Sequence, residues 1–396
     1  NMCELDLPLK FAQKLYNEFA IRHPNAFYLR TRQRGMQNWD GKIHYITKTG
    51  QFKIGLLPKV YDMCIEMGIK PKVVDMRQPL PKVSKVVTNI GKYKLRPEQE
   101  KAVKAVINNK IGNTPFHIGV LDYTVNAGKT LIMSSLYLSY KKQLKTLLIT
   151  NDSDWLNQAR EEFKQYLPGE DITFVQGKVL NWSNFTIGMV QSISRNMRFY
   201  QKELSQIDMV LVDEADQGGS KQYQNVITRL FNTRIRIGLS GTIYMSKLAK
   251  DKVKNMNLEC FFGKVIAEFK LKDSIKKGYS TKTVVKMVPG KPWYGNWESD
   301  CISYKEIYDD SITNCYTAWL MAYNRLLWNL NQGRYPALVV CKHIAHCENL
   351  YKFFKKKLGD AYNIAYVHVN TPSKLRQQIM KDFREGKIDI LVSTTI

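Results

Sequence analysis

From His117 onward, short apolar runs alternate with longer stretches in which apolar residues recur every three or four positions. The short runs predict buried strands in HIGVLDYT, TLLIT, DMVLVDEAD and IRIGLSGT, and the longer stretches predict helices through LIMSSLYLSY and NQAREEFKQYL. Strands that alternate with helices in this way are typical of a doubly wound parallel sheet. This part of the chain is therefore predicted to be an α/β domain.

A second α/β series begins around Trp319. Its helices are predicted through AWLMAYNRLLWNL, ENLYKFFKKKL and KLRQQIMKDF, and its strands in ALVVC, NIAYVHV and DILVSTT. Between the two series lies MVPGKPWYGNWESD, whose content of glycine, proline, asparagine and aromatic residues favours a linker or surface loop. We predict a linker over residues 286–310 and a second α/β domain over residues 311–396.

The first ninety residues have a different pattern. Helices predicted through LPLKFAQKLYNEFAI and KVYDMCIEMGI flank a basic stretch, YLRTRQRGMQNWDGKIHYI. Residues 1–90 contain fifteen Lys and Arg against seven Asp and Glu. This pattern indicates a small, basic α+β accessory domain over residues 1–90, with the first α/β domain over residues 91–285.

The charge of the chain points to the kind of partner. Its 396 residues include 60 Lys and Arg against 35 Asp and Glu, a formal net charge of +25. Such an excess favours a polyanionic partner, although a basic surface that only serves solubility is the alternative. The sequence contains no run of eighteen apolar residues and no signal-peptide pattern. We therefore expect a cytoplasmic protein with no membrane partner.

The stretch DYTVNAGKT ends like a phosphate-binding loop. In such a loop, backbone N–H groups at a helix N-terminus bind phosphate, a lysine neutralises the β- and γ-phosphate oxygens, and the next hydroxyl reaches Mg²⁺. Gly128, Lys129 and Thr130 supply these parts between a predicted strand and a predicted helix. The first glycine of the usual pattern is missing, and Tyr123 takes its place. AGKT alone is weak evidence, and an ordinary helix start is the alternative.

VLVDEADQ supplies the second half of the predicted site. Residues 210–212 should form a buried strand, with Asp213 and Glu214 exposed at its end. A carboxylate in that place can hold Mg²⁺ through water beside the γ-phosphate, and its neighbour can take a proton from the attacking water. We predict the first role for Asp213 and the second for Glu214. A merely solvated turn is the weaker alternative downstream of AGKT.

Eight short stretches resemble, in order, the motifs of superfamily 2 nucleic-acid helicases and translocases. They are LRPEQ, AGKT, ITNDSDWLNQ, QSI, DEAD, GLSGT, VVCKHIAHCENL and ILVSTT, which together cover most of residues 93–396. Each is weak alone, whereas eight in the family's order are specific. The resemblance implies an α/β fold of two RecA-like, doubly wound parallel-sheet domains plus the small N-terminal domain. It further implies that ATP binds between the two RecA-like lobes and that hydrolysis moves them along a strand.

The resemblance also implies roles for single residues. Arg96 and Gln99 of LRPEQ would read adenine, and Ser240 and Thr242 of GLSGT would couple the ATP site to the nucleic-acid site. The cofactors would be ATP and Mg²⁺, with ATP on Asn126, Ala127, Gly128, Lys129 and Thr130, and the metal on Thr130 and Asp213. Contacts to nucleic acid would come from Asn151, Gln158, Gln191, Ser192, Lys342, His343, Ser393 and Thr394.

Several stretches favour DNA over RNA as the substrate. The chain lacks the PTREL pattern of DEAD-box RNA helicases, has SGT where SAT is usual, and carries LRPxQ, which is similar to DNA translocases of the branch-migration, restriction and repair type. NWDGKI, FKIGLL, FFGKVI and CKHIAH resemble helicases of the phage UvsW type. The resemblance implies a monomeric, ATP-dependent DNA helicase or translocase that acts on forks or junctions in replication, recombination or repair. A phage-encoded protein would work in the host cytoplasm.

Two alternatives stay open. The first is an RNA helicase of the DEAD-box type. The second is a non-catalytic module that binds nucleic acid through its basic charge and keeps the motor fold as a scaffold.

The basic N-terminal stretch predicts a DNA contact of its own. The cations Arg30, Arg32, Arg34, Lys42 and Lys48 can neutralise phosphates, and Tyr28 and Trp39 offer flat rings to an unstacked base. A place in the core is the alternative for Trp39.

The sequence ends at ILVSTTI, inside the stretch that resembles the fifth motif. No QxxGRxxR pattern follows, and in the family that later motif supplies arginine fingers. We therefore expect the second RecA-like domain to be incomplete in this sequence. A protein that ended at Ile396 should bind ATP but hydrolyse it poorly.

Overall fold

The computed structural model describes residues 2–32, 35–140, 143–177, 179–243, 249–282, 284–285 and 303–394. The chain divides into two compact units, residues 1–283 and residues 284–396. Most of the predicted linker, residues 286–302, lies outside the described part. No helix within the described ranges is both long and apolar enough to cross a membrane.

The first unit contains eleven α-helices among its described residues, and they include each helix predicted there. The helices are α1 (Leu9–Glu18), α2 (Ala26–Arg32), α3 (Leu57–Glu66), α4 (Pro97–Ile107), α5 (Lys129–Ser139), α6 (Ser153–Tyr166), α7 (Val190–Arg195), α8 (Gln201–Ser205), α9 (Lys221–Thr228), α10 (Ala249–Phe262) and α11 (Leu271–Lys276). Short paired strands surround the first helices: β1 (Met2–Cys3), β2 (Ala20–Arg22), β3 (Lys42–His44), β4 (Phe52–Lys53), β5 (Asn89–Ile90), β6 (Tyr93–Lys94), β7 (Lys110–Ile111) and β8 (Thr114–Pro115).

A central sheet organises this unit. Its strands are β9 (Ile118–Tyr123), β10 (Thr146–Thr150), β11 (Ile172–Gln176), β12 (Val179–Leu180), β13 (Phe185–Met189), β14 (Met209–Asp213), β15 (Ile235–Ser240) and β16 (Val265–Phe269). They lie in the order β12-β11-β13-β10-β14-β15-β9-β16, and all run parallel except β12, which is antiparallel to β11. The predicted doubly wound parallel sheet is therefore confirmed.

Both faces of the sheet are covered, as expected for parallel strands made of continuous apolar runs. Along β14, Met209 and Leu211 enter one hydrophobic cluster, whereas Val210 and Val212 enter the other. Successive side chains of a strand point to opposite faces, so the two clusters are cores on opposite faces of the sheet. Every residue of β9, β10, β14 and β15 is buried.

The N-terminal residues share one of these cores. Leu15 and Leu56 belong to the same buried cluster as Val210 of the sheet. The backbone at Gly55 approaches α10 so closely that a Cβ there would lie 2.1 Å from the carbonyl oxygen of Glu259. Only glycine fits such an approach. Residues 2–90 are thus joined to the first sheet in one unit, and the predicted domain boundary at residue 90 stays a prediction.

The second unit has a smaller parallel sheet. Its helices are α12 (Tyr304–Tyr308), α13 (Tyr316–Asn331), α14 (Ile344–Leu358) and α15 (Ser373–Arg384), and its strands are β17 (Ala337–Cys341), β18 (Ile364–Val367) and β19 (Ile390–Thr394). The strand order is β17-β19-β18, and both pairs are parallel. These elements follow the alternation predicted from the sequence and confirm the α/β fold class.

Candidate active site

The loop between β9 and α5 has the setting of a phosphate-binding loop. It links a buried strand to a helix that begins at Lys129, and its backbone is left-handed at Asn126 (φ 63°) and Gly128 (φ 74°). The positive φ of residue 128 favours glycine, and a Cβ there would lie 2.3 Å from Nε2 of Gln99, which is itself hydrogen-bonded to the loop. Asparagine tolerates a positive φ better than most residues. The predicted residues Asn126, Ala127 and Gly128 therefore stand at a helix N-terminus, where phosphate binds.

Tyr123 belongs to the strand rather than to the loop. It is the last residue of β9, is fully buried, and donates its hydroxyl hydrogen bond to the carbonyl oxygen of Glu98 at 2.8 Å. Its ring therefore packs in the core beside α4. Tyr123 stands where the usual pattern has its first glycine. Because its side chain lies in the core, it does not obstruct the loop from Thr124 to Gly128.

Lys129 and the acidic pair converge at one edge of the sheet. Because β15 lies between β14 and β9, the carboxyl ends of these parallel strands share an edge. Nζ of Lys129 is 3.7 Å from Oδ1 of Asp213 and 3.6 Å from Oε1 of Glu214. Side chains far apart in sequence thus meet beside this loop. Their individual chemical roles stay predictions.

The two carboxylates differ in their exposure. Both were expected at the surface, and for Asp213 this is wrong: its side chain is 3% exposed, whereas that of Glu214 is 48% exposed. Asp213 is the last strand residue, still paired with Leu239 of β15, so the sheet encloses it. Burial raises the pKa of Asp213 to about 6, against the opposing effect of Lys129.

One oxygen of Asp213 lacks a hydrogen bond. Oδ1 is buried and accepts none from the described residues. A buried acceptor without a partner is costly, and Mg²⁺ or its bound water would satisfy it. Thr130, half-buried in the first turn of α5, supplies the other predicted oxygen. The residues present therefore fit a magnesium ion bound by carboxylate, hydroxyl and water.

The predicted adenine-reading residues hold the loop from the side of α4. Gln99 donates from Nε2 to the carbonyl oxygen of Ala127 at 2.8 Å, and Arg96 donates from Nη2 to the carbonyl oxygen of Asn126 at 3.2 Å. Gln99 Oε1 also accepts the backbone N–H of Arg96 at 2.8 Å. The guanidinium of Arg96 lies 4.2 Å from the ring centroid of Tyr279. A cation and an aromatic ring thus stand next to the loop.

A buried carboxylate supports this arrangement. Glu98 is 5% exposed, and its oxygens lie 3.3 Å from Nε of Arg96 and 2.7 Å from Nζ of Lys277. The contact with Glu98 raises the pKa of Lys277. Asp122 of β9 is paired in the same way with Lys270. Two lysines that follow β16 therefore neutralise buried acids beside the phosphate loop.

The turn after β14 is bound on two sides. Ser240 donates its hydroxyl to Oδ1 of Asp216 at 3.1 Å and accepts the backbone N–H of Thr242 at 3.2 Å. On the other side, Asn151 donates from Nδ2 to Oε1 of Gln217 at 2.9 Å. The turn that follows the acidic pair therefore contacts Ser240, one of the two predicted coupling residues, and Asn151, a predicted nucleic-acid residue.

The structure brings together only some of the nucleic-acid residues predicted in the first unit. Gln191 donates from Nε2 to the carbonyl oxygen of Asn151 at 3.3 Å. Ser192 instead accepts the backbone N–H of Gly177 at 2.9 Å. Gln158 lies on α6 and donates to Glu162 at 2.7 Å. Asn151 and Gln191 thus form one group, to which these contacts do not join Ser192 or Gln158.

The predicted arginines of the N-terminal stretch lie on α2. Arg30 and Arg32 occupy its last turn, and Arg34 is outside the described residues. The guanidinium of Arg32 lies 4.8 Å from the ring centroid of Tyr28 and covers one face of that ring.

Trp39 is only partly exposed. Its indole N–H donates to the carbonyl oxygen of Lys42 at 2.9 Å, and its ring meets that of His23 edge-on with centroids 5.7 Å apart. These contacts suit the structural alternative, and a DNA contact by Trp39 stays a prediction.

In the second unit, the predicted residues end two neighbouring strands. Lys342 and His343 follow β17, and Ser393 and Thr394 end β19, its parallel neighbour. Ser393 and Thr394 are buried, whereas Nζ of Lys342 donates to the hydroxyl oxygen of the exposed Tyr304 at 3.0 Å. All four therefore lie at the carboxyl edge of this small sheet, and their nucleic-acid contacts stay predictions.

Comparison with known proteins agrees with these motifs. The family described as type III restriction enzyme, res subunit, matches residues 92–245, and the family described as helicase conserved C-terminal domain matches residues 320–396. The ATP-dependent DNA helicase uvsW of Enterobacteria phage T4 is 21% identical over 402 residues, which span 90% of this chain and 72% of the relative. The chain belongs to superfamily 2 of the helicases.

Solved structures agree on the fold of this superfamily 2 helicase. One crystal structure of bacteriophage T4 UvsW is 20% identical to this chain, with a TM-score of 0.53. The match covers 99% of this chain and 77% of the UvsW chain. A second crystal structure of UvsW matches 67% of this chain and 95% of its own chain, with a TM-score of 0.52 at 20% identity. The RecA-like fold class predicted from the motifs is therefore confirmed.

Sequence reasoning missed three residues of this helicase's candidate site. Glu98 lies inside LRPEQ and Gln217 directly follows DEAD, so a closer reading of both motifs could have raised them. Tyr279 follows α11 and lies outside every quoted motif, and nothing in the local sequence points to it. It contacts Arg96 beside the loop because β16, the strand that precedes α11, lies next to β9 in the sheet.

Proposed function

We propose that this superfamily 2 helicase uses ATP to move along DNA and remodels forked or branched duplexes. The observation that carries the proposal is the convergence of Lys129, Asp213 and Glu214 within 4 Å beside a glycine-containing loop at a helix N-terminus. A lysine, a buried carboxylate and an exposed carboxylate are the groups that phosphoryl transfer to water requires.

Each group has a role that suits its surroundings. Lys129 binds the β- and γ-phosphate oxygens, and the loop N–H groups bind the remaining phosphate charge. Asp213 and Thr130 would hold Mg²⁺, which would neutralise charge on the transferring phosphate. Glu214 is half-exposed, so a water molecule reaches it and can give up a proton to its carboxylate. Arg96 and Gln99 orient adenine.

The turn between Asp213 and Gln217 links ATP to DNA in this proposal. Asp216 is bound to Ser240, and Gln217 is bound to Asn151. A shift of the turn on hydrolysis would therefore move the DNA-contacting group. In the second unit, the residues proposed to contact DNA are Lys342, His343, Ser393 and Thr394. The protein is proposed to act as a monomer.

DNA is the favoured polymer for two reasons. The net charge of +25 favours a polyanion, and the relative that spans most of the chain is named as a DNA helicase. Basic residues on α2 add positive charge in a part of the chain separate from the ATP site.

The proposal is tested by ATP turnover with Mg²⁺ and forked DNA, single-stranded DNA or RNA. We expect the largest stimulation with forked DNA, together with strand separation in a gel assay. Stimulation by RNA alone would replace this proposal with the RNA helicase. DNA remodelling by a Lys129→Ala variant at the parent's rate would favour the non-catalytic binding module.

A further inference from the structure

An open cleft of about 570 Å³ lies between α2 and the strand β3 of the N-terminal part. Its lining includes Arg22, Phe27, Arg30, Asp40 and Lys42. This is a separate place from the sheet edge that carries the candidate ATP site, and its chemistry is that of a small basic pocket with one aromatic wall.

Phe27 presents an open ring at this cleft. It is 80% exposed and contacts no aromatic ring or cation among the described residues. The neighbouring Tyr28 is different, because the guanidinium of Arg32 covers its ring at 4.8 Å and bonds its hydroxyl at 3.4 Å. Of the two rings on α2, Phe27 is therefore the more exposed one, and no cation of the described residues covers it.

The cations of the cleft are available as well. No carboxylate of the described part of the chain lies within 4 Å of the charged nitrogens of Arg22, Arg30 or Lys42. The acid in the lining, Asp40, accepts from Nε2 of His44 at 2.6 Å and from the backbone N–H of Lys42 at 2.9 Å. These hydrogen bonds lower the pKa of Asp40 and engage its oxygens. The lining therefore keeps a net positive charge.

We propose that this cleft binds an unpaired nucleotide at the branch point of DNA, with the base stacked on Phe27 and phosphates on Arg22, Arg30 and Lys42. The inference rests on the proposed function and names the part of the substrate that this surface recognises. Every base has a flat face, so one ring binds any sequence. Bases inside a duplex already stack on both sides and leave no face for Phe27. The cleft thus recognises the opened part of a fork.

The test uses the full chain and a forked DNA with 2-aminopurine at the first unpaired nucleotide. A second DNA carries the same base inside a continuous duplex. Phe27→Ala is compared with Phe27→Trp, which keeps a ring, and with Phe231→Ala, which removes an exposed phenylalanine from outside the cleft. Affinities, 2-aminopurine fluorescence and DNA-free ATP turnover are measured for each.

We expect the parent to quench the fluorescence of the forked DNA and not that of the duplex. Phe27→Ala should weaken forked-DNA binding about tenfold, the loss of one stacked base, and leave duplex binding unchanged. Phe27→Trp and Phe231→Ala should bind as the parent does. DNA-free ATP turnover should stay the same in every variant, because the lining of the cleft contains none of the predicted ATP residues.

Other results would overturn the inference. If Phe27→Ala and the parent bind forked DNA with equal affinity, Phe27 does not stack on a base. If Phe27→Ala loses as much affinity for the continuous duplex as for forked DNA, the ring makes a contact that is not specific to the fork. Competition by an acidic peptide, without competition by single-stranded DNA, would make the cleft a protein-docking surface. If the parent is stimulated by DNA while Phe27 is dispensable, only this inference fails. If the parent neither binds nor responds to DNA, the proposed function fails with it.

Discussion

The sheet edge and the α2 cleft both present positive charge, but they hold it differently. At the edge, Lys129 lies within 4 Å of two carboxylates, and Gln99 is hydrogen-bonded to the loop. In the cleft, Arg22, Arg30 and Lys42 have no such partner among the described residues. A small ligand with fixed phosphate positions needs groups held in place, whereas a polymer needs mainly charge and a flat ring. Substitutions at the edge should therefore have large effects, and those that touch DNA smaller ones.

The largest effect is expected for Lys129→Ala. Removing the cation leaves the phosphate charge without its main partner, and ATP turnover should fall by about 10²–10³-fold. Lys104→Ala is the matched control, since Lys104 is an exposed lysine paired with Glu100 on α4. Steady-state turnover at saturating DNA measures both. If Lys129→Ala turns over ATP as fast as the Lys104→Ala control, the sheet edge is not more sensitive to substitution than the cleft.

The second effect concerns stability in protein freed of divalent metal. The pKa of Asp213 is about 6 in the folded protein, against 3.8 for an ordinary aspartate. The folded state therefore favours the neutral carboxyl group. Its contribution to the free energy of unfolding is fully present below pH 4 and is lost as the pH rises through 6. Asp213→Asn should therefore stabilise the protein by about 3 kcal/mol at pH 8 and little at pH 4. Urea unfolding with a chelator measures this, with the exposed Glu214→Gln as control. If the gain in the free energy of unfolding does not depend on pH, burial of the ionised Asp213 carboxylate does not destabilise the protein.

The third effect should appear in Gln99→Ala. Loss of the amide removes its hydrogen bond to the carbonyl oxygen of Ala127, so KM for ATP should rise about tenfold while kcat changes little. The parent should prefer ATP to GTP, and the variant should lose that preference. Turnover with both nucleotides measures the change, with Gln224→Ala as a control whose amide bonds Gly219 instead. An unchanged preference would remove Gln99 from adenine recognition.

The smallest effect is expected for Gln217→Ala. This variant loses the contact with Asn151 but no group that touches ATP, so DNA-free turnover should stay constant while stimulation by DNA falls about fivefold. A double variant with Asn151→Ala should lose little more than Asn151→Ala alone. Additive losses would show that the two side chains act separately.

The order of elements could be predicted from the sequence, because strands and helices leave distinct periods. Gly128 could be predicted as well, since the motif demands it, and its left-handed backbone explains why. The contact between Asn151 and Gln217 could not, because it depends on β10 lying next to β14 in the sheet. The burial of Asp213 and the exposure of Phe27 could not be predicted from the local sequence either. Each depends on which neighbours pack around it.

The most direct measurement is a calorimetric titration with ATP, with and without Mg²⁺, of the parent, Lys129→Ala and Asp213→Asn. We predict that the parent binds one ATP per chain, that Lys129→Ala binds far more weakly, and that Asp213→Asn loses the dependence on Mg²⁺. Equal affinity in all three proteins, unaffected by Mg²⁺, would contradict a nucleotide site at this edge of the sheet.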